Sequence, residues 1–378
     1  MNFDFTEEQS MLRDSVARYV QDSYDFDTRR AIASSDEGMS REQWQTFAEL
    51  GWLSVPFEEE HGGFGGSSVD TMLMMEEFGK GLVLEPYFAT VVLFGGLLQR
   101  SGNSALQTEF IPRVIEGSCL GAFAYLERQS RFELADVCTR AESSGDGYSI
   151  SGEKVVVYNG ASADHLIVSA RTSGEQFDPQ GISLFLIPAD AEGVSVSSYA
   201  MMDGQRVANI TFDKVAVAAT HLLGAEGEAM ALIEPVVGTA NLALASEALG
   251  IMGQLNAKTL EYVKTRKQFG VTIGSFQALQ HRMVDTFMAY EQTKSLLYRA
   301  VCELEEGADS ADATVHALMV MVDRAGKLIF GEAIQLHGGM GLTDELDIGH
   351  YAKRLMMINT TFGNGDYHQA AFDALRYG

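Results

Sequence analysis

Residues 262–277 read YVKTRKQFGVTIGSFQ, a joint between two long helical patterns. Upstream lies an almost unbroken apolar run; downstream, FQALQHRMVDTFMAYEQ resumes apolar residues at three- and four-residue spacing. Gly270 and Gly274 punctuate the joint, and Arg266 and Lys267 complement the negative end of the first helix dipole. Dipole complementation accounts for the two cations. It gives no reason for Gln268, Phe269, the Ile273–Gly274 turn or the Phe276–Gln277 pair that opens the next helix.

Working outward, helical periodicity predicts long segments over roughly 228–266, 276–306 and 309–337, then a glycine-bearing turn and a last helix near 366–376. Between about 120 and 218 the texture differs. GYSISGEKVVVYNG, DHLIVSART, GISLFLIPA, VSVSSY and VANITFDKVAV are short, β-branched or alternating, and bounded by Gly, Asp and Ser, which predicts antiparallel strands. Before them, EEQSMLRDSVARYVQ, REQWQTFAELGWL and SVDTMLMMEEFGKGLV read as helices. A chain of 378 residues exceeds one compact unit of ordinary size. The expected class is α+β, with an N-terminal helical domain over 1–119, a middle antiparallel β-barrel-like domain over 120–220 and a C-terminal four-helix bundle over 221–378.

Composition narrows the partners. With 27 basic against 52 acidic residues the net charge is -25, which disfavours nucleic acid and anionic membrane and leaves any polyanionic ligand dependent on local cations. Cys119, Cys138 and Cys302 have neither metal nor disulfide spacing, and the eight histidines are scattered, so no metal site is expected. HGGFGG at 61–66 and LHGGMG at 336–341 do not follow a strand and open a helix, as a Rossmann fingerprint must, and no G-x-S-x-G elbow is present. The opening MNFDFTEEQSM has neither a basic n-region nor an apolar h-region, and a reducing cytoplasm is the expected compartment.

Residues 235–257, PVVGTANLALASEALGIMGQLNA, hold one charged side chain, Glu247. The run is long enough to span a bilayer, but Thr239, Asn241, Ser246, Glu247 and Gln254 interrupt it, so a buried helix of a soluble protein is expected. An ionised group in such a wall is expensive. Either a neighbouring cation neutralises it, with Arg282 or Arg324 as candidates, or the apolar wall tunes it as a general base.

R-K-Q-F-G followed by F-Q resembles the helix-junction signature of acyl-CoA dehydrogenases, FAD-dependent enzymes that desaturate the α,β bond of acyl-CoA thioesters. The likeness extends over nearly the whole chain: FDFTEEQSMLRDSVARYV is similar to the family's opening helix, FGGSSVDTMLMMEEFGKGLVLEPY to its E-E-x-G segment, and AIQLHGGMGLTDE to its closing glycine turn. YDFDTRR, ERQSRFELADV, TRKQFGVTIGSFQALQHR and FGNGDYH further resemble the small subunit of pimeloyl-CoA dehydrogenase, a type also similar to dehydrogenases of steroid side-chain thioesters.

The resemblance implies roles for named residues. Arg266 would meet the FAD pyrophosphate across a subunit interface, Gln268, Phe269, Phe276 and Gln277 would line the adenine and ribityl side, and Gln335, Gly338 and Gly339 would complete the groove. Val156 and Tyr158 fall where the family runs its W-I-T strand along the isoalloxazine, with tyrosine in place of the threonine; ERQSRFE at 127–133 replaces the family's E-P-G-A-G-S-D loop. The α-proton base is absent from both familiar positions, which hold Phe362 and Ala240. Glu247 lies seven residues beyond Ala240, close to two helical turns, and so on nearly the same face. Pimeloyl- and steroid-type relatives carry an A-E-x-x-G segment there with the glutamate as base. The resemblance also implies an acyl-CoA substrate, an electron-transferring flavoprotein as acceptor, and a homo- or hetero-tetramer, possibly with a larger subunit. A non-catalytic partner subunit is the alternative; a flavin oxidase of the same fold is a further one.

Overall fold

The computed structural model describes residues 5–378; residues 1–4, on which the expected absence of a leader partly rests, lie outside the described residues. Along the chain come α1 (Glu7–Ser23), α2 (Phe26–Ala33), α3 (Arg41–Glu49), α4 (Ser68–Gly81), a wide helical turn over Tyr87–Gly95, α5 (Gly96–Arg100) and α6 (Ser104–Ile115). Strands follow: β1 (Gly121–Ala124), β2 (Arg140–Ser144), β3 (Gly147–Tyr158), β4 (His165–Arg171), β5 (Ile182–Pro188), β6 (Val194–Ala200), β7 (Arg206–Ala218) and β8 (Leu222–Leu223). The chain ends with α7 (Met230–Thr265), the short strands β9 (Lys267–Gln268) and β10 (Val271–Thr272), α8 (Gln277–Glu305), α9 (Ala311–His337), α10 (Ile348–Ile358) and α11 (Gly365–Tyr377). The helix, sheet, helix order is the expected α+β one. Three details differ: β1 and β2 each pair with β4 in parallel rather than antiparallel fashion, and α10 falls where the periodicity predicts only a glycine-bearing turn.

By packing, the chain forms two compact units that cut across this order, one holding residues 32–67 and 84–240, the other the earlier N-terminal residues, 68–83 and 241–378. In the first, the sheet runs β6-β7-β3-β2-β4-β5-β8 with β1 added beside β4. Its core is the inward row of alternating strands, with Ile150, Phe185, Ile210, Phe212 and Val215 all buried. Register shifts interrupt β3 against β7 between Ile150 and Gly152 and between Lys154 and Val157.

In the second unit α9 packs against α8, α10 and α11. At its start, Thr6 closes a capping box on α1, accepting from the Gln9 amide at 3.1 Å while Gln9 returns a bond to the Thr6 amide at 3.1 Å. The tightest packing is between α4 and α7. A Cβ placed on Gly250 would fall onto the Glu76 carbonyl oxygen, and one on Gly79 onto the Glu247 carbonyl oxygen. Two helix backbones therefore touch beside Glu247, an approach only glycine permits. Although α7 could pass for a membrane span by composition, 83% of its most apolar window is buried in the protein.

This crossing predicts opposite outcomes for two glycines of one helix. Gly250→Ala should destabilise by about 3 kcal/mol or more through backbone overlap. Gly238→Ala, where a Cβ meets nothing within 4 Å, should stabilise by about 0.5–1 kcal/mol through helix propensity. Urea unfolding of the two variants measures both.

Candidate active site and cofactor groove

Glu247 is 4% exposed, and its carboxylate is closed by Arg354 of α10. Arg354 Nε donates to Oε1 at 2.6 Å and Nη2 to Oε2 at 2.7 Å, a bidentate fork from a side chain itself 3% exposed. This corrects the expected surroundings. The carboxylate does not face a purely apolar wall, and neither anticipated arginine serves it: Arg282 pairs with Glu332 at 2.5 Å and Arg324 bonds Gln369 at 3.4 Å. A carboxylate offers about four lone-pair directions, of which the fork takes two. Ala240 and Phe362, at the two familiar base positions, are both buried, and Phe362 has a left-handed φ of 58°. Asp366, four residues after Phe362, is exposed in the first turn of α11.

The joint after α7 is a hairpin. Gln268 pairs with Val271 and Lys267 with Thr272, so Phe269 and Gly270 form a two-residue loop; both have positive φ, 55° and 82°, as a type I′ turn requires. Asn-Gly is the usual choice there, and a non-glycine residue held in this region costs roughly 1–3 kcal/mol. The Phe269 ring is also 92% exposed. Phe276 stands edge-on to it, centroids 6.3 Å apart, and the Ile273 amide donates to Arg266 O at 2.9 Å, folding the hairpin back on the helix end.

A second segment meets this joint. Tyr262 stacks on His337 with centroids 4.3 Å apart, and its hydroxyl donates to His337 O at 3.4 Å. His337, whose Nδ1 lies 2.8 Å from Ala333 O, is thus an internal strut rather than an outward phosphate ligand. Beyond it Gln335, Gly338 and Gly339 are exposed, and Gly338 has φ 62°. A Cβ on either glycine would meet nothing within 4 Å, so their backbone is open to a ligand. Arg266, Gln268 and Gln277 are exposed too, with Lys264 and Lys267 close by in sequence. Arg266 lies about 28 Å beyond Glu247 along the helix at 1.5 Å per residue.

Val156 and Tyr158 belong to the sheet-bearing unit. Val156 sits in the second β3 register shift with φ 52°, a strained value for a β-branched residue, and its amide donates to Asn209 Oδ1 at 3.3 Å. Tyr158 is 8% exposed, packs with Ala89 and Val207, and stands edge-on to Phe88 at 6.1 Å. In the ERQSRFE segment, Glu127 turns inward to Lys154, Nζ to Oε1 2.8 Å, and accepts from the Thr139 and Cys138 amides at 3.0 and 2.8 Å. Lys154 also donates to Tyr125 O and Ser169 Oγ. Burial pushes the Glu127 carboxyl up, but the Lys154 ammonium and the converging hydrogen bonds outweigh it and hold the group at about 2. Burial draws Lys154 down against the pull of Glu127; at this distance and with every polar atom engaged, the pair is charged on both sides. Arg128 turns outward to Glu153 at 2.7 Å.

Three family models match consecutive parts of the chain: acyl-CoA dehydrogenase N-terminal domain over 6–118, middle domain over 122–215 and C-terminal domain over 233–371. The probable acyl-CoA dehydrogenase YngJ of Bacillus subtilis is 30% identical, covering 92% of each chain. The chain belongs to the acyl-CoA dehydrogenase family. The short-chain-specific acyl-CoA dehydrogenase of Megasphaera elsdenii is also 30% identical, over 80% of this chain and 81% of that one. Among solved structures, the FAD complex of PigA superposes with a TM-score of 0.92 at 26% identity, covering 99% and 98% of the two chains. The Tcur3481–Tcur3483 steroid ACAD, as its G363A variant, has a TM-score of 0.87 at 29% identity over 98% and 97%.

As an acyl-CoA dehydrogenase the chain is an FAD-dependent oxidoreductase. Its exposed joint fits that cofactor: a guanidinium, two amide side chains and open glycine backbone are the donor set a diphosphate needs, gathered locally on a chain of net charge -25. The residues that the sequence did not single out are Arg354, Lys154 and Tyr262. For Arg354 a signal existed: Ile348, Tyr351, Ala352, Leu355 and Ile358 keep helical spacing, and Arg354 falls one turn from both Tyr351 and Ile358 on the inward side.

Two predictions test this geometry. Phe269→Asn should raise apo-chain stability, by about 1 kcal/mol of relieved turn strain, while FAD retention falls; calorimetry and flavin absorbance read the two effects. Lys154→Met should cost about 3–5 kcal/mol by leaving a buried carboxylate unpaired, and adding Glu127→Gln should recover most of it. Because the folded Glu127 holds its proton only near pH 2, its stabilising contribution is complete above the ordinary carboxylate range, near pH 4.5, and fades as pH falls towards 2. Acid titrations of unfolding should show that segment in the wild type and lose it in the double variant.

Proposed function

We propose that this chain is a catalytic subunit of an oligomeric acyl-CoA dehydrogenase and that Glu247 removes the α proton of an acyl-CoA thioester to give the trans-2-enoyl product. The carrying observation is Glu247 itself. It is the one charged group in a buried stretch of α7, flanked in sequence by Ala243, Ala245, Ala248 and Gly250, and the Arg354 fork engages two of about four lone-pair directions of its carboxylate. Bound FAD supplies the two-electron acceptor. The chain's part is to hold the thioester, present the ionised carboxylate to the α carbon and keep water away from it.

Arg266, Gln268, Phe269, Phe276, Gln277, Gln335, Gly338 and Gly339 would hold the distal part of an FAD belonging to a neighbouring chain, and Val156 and Tyr158 would border the isoalloxazine of the chain's own. Three features support the sharing: the strained, exposed Phe269, the long separation of Arg266 from Glu247, and an exposed apolar stripe on α8 formed by Val284, Phe287 and Met288 at 52%, 58% and 48% exposure. The sequence likeness to the pimeloyl-CoA dehydrogenase small subunit supports pairing with a larger, different chain. An electron-transferring flavoprotein is the proposed acceptor and the cytoplasm the proposed compartment.

A second reading, a subunit that keeps the flavin groove while another chain does the chemistry, is favoured by the fork on Glu247 and by Phe362 at the usual base turn. Glu247→Gln separates the two. It should leave FAD bound and slow flavin reduction by acyl-CoA on the order of 10³-fold, the range a lost general base costs. Unchanged reduction kinetics would remove Glu247 from the mechanism.

A further inference from the structure

The fork on Glu247 is more constrained than a tie between two helices requires. Its backbone is pinned where α4 crosses α7 at Gly79 and Gly250. The arginine is pinned as well. α10 buries Ile348, Tyr351, Ala352, Leu355 and Ile358 and is stitched at two more points, by Tyr351 Oη donating to Lys80 O at 2.6 Å and by Asp347 pairing with Lys258 at 2.9 Å. Between these fixed supports, two parallel N–H···O bonds of 2.6 and 2.7 Å fix the plane of the carboxylate, away from competing water.

We propose that Arg354 is a positioning residue for the reaction: its guanidinium sets the orientation of the Glu247 carboxylate, so that the lone pairs left outside the fork are the ones that meet the α hydrogen. This rests on Glu247 being the base. A glutamate has three rotatable bonds, and its small α7 neighbours Ala243, Ala248 and Gly250 offer little side chain to select one rotamer. The fork supplies that selection. A lysine could supply the charge but not the plane.

The test uses the FAD-loaded assembly with whichever of butyryl-, octanoyl- or pimeloyl-CoA bleaches the wild-type flavin fastest. Arg354→Met should retain flavin yet reduce it about 100-fold more slowly per bound FAD, the scale expected of a misplaced reacting group, with a larger isotope effect from α-deuterated thioester. Arg354→Lys should recover only part of the rate. In the apo chain, Arg354→Met should lower the unfolding midpoint, and Glu247→Gln added to it should restore the midpoint without restoring activity. A wild-type rate per bound FAD in Arg354→Met, with Glu247→Gln inert, would overturn the positioning role alone; where the methionine variant does not fold, a full rate per FAD in Arg354→Lys overturns it equally. Wild-type reduction by Glu247→Gln would instead remove the base on which the proposal stands.

Discussion

A carboxylate and a guanidinium, both almost fully out of water and joined by two short hydrogen bonds, set the terms for the helical unit. Taking such charges from solvent costs several kcal/mol each, and the attraction between them repays it only when the geometry is close to ideal. That geometry is built from backbone. Glycines let α4 and α7 touch, which fixes where Glu247 leaves its helix, and the buried stripe of α10 fixes where Arg354 leaves its own. As a stabilising device the pair is an uneconomical choice, since apolar residues of the same volume would serve as well or better. The base role proposed for Glu247 gives such an oriented carboxylate a use.

The sheet-bearing unit meets the same problem differently. Glu127 and Lys154 are also a buried pair, yet Glu127 accepts in addition from the Cys138 and Thr139 amides and the Gln129 side chain, while Lys154 donates in addition to the Tyr125 carbonyl and the Ser169 hydroxyl. Every lone pair there is engaged in holding a loop that has lost the family's glycines, so the pair has nothing left to offer a substrate. Two buried acids in one chain thus differ in the capacity they retain, and that difference, rather than burial, separates a structural acid from a candidate base.

Much of this was legible in order along the chain. The long apolar periodicity of α7, the cations and glycines of the 262–277 joint and the alternating strands follow from local rules, and they located the helix, sheet, helix sequence and the exposed joint proposed to hold the cofactor. What stayed hidden depended on partners far away in sequence. Arg354 is 107 residues from Glu247, on a helix of 11 residues between a glycine turn and a glycine-asparagine loop, whereas Arg282 and Arg324 lie on longer helices whose periodicity is plain in the sequence. Lys154 falls on the same inward face of β3 as Ile150, four residues earlier, yet it reads as an ordinary strand lysine without its distant partner Glu127. The parallel pairing of β1 with β4 leaves no local trace either, because a four-residue apolar strand looks the same in both directions.

The most direct measurement is a crystal structure of the FAD-containing assembly with a non-reacting acyl-CoA analogue in place. A Glu247 oxygen should lie roughly 3 Å from the analogue's α carbon, hydrogen-bonding reach for a general base, with both bonds to Arg354 intact. A thioester whose α carbon lies well beyond reach of Glu247, or faces another chain's carboxylate, would contradict it.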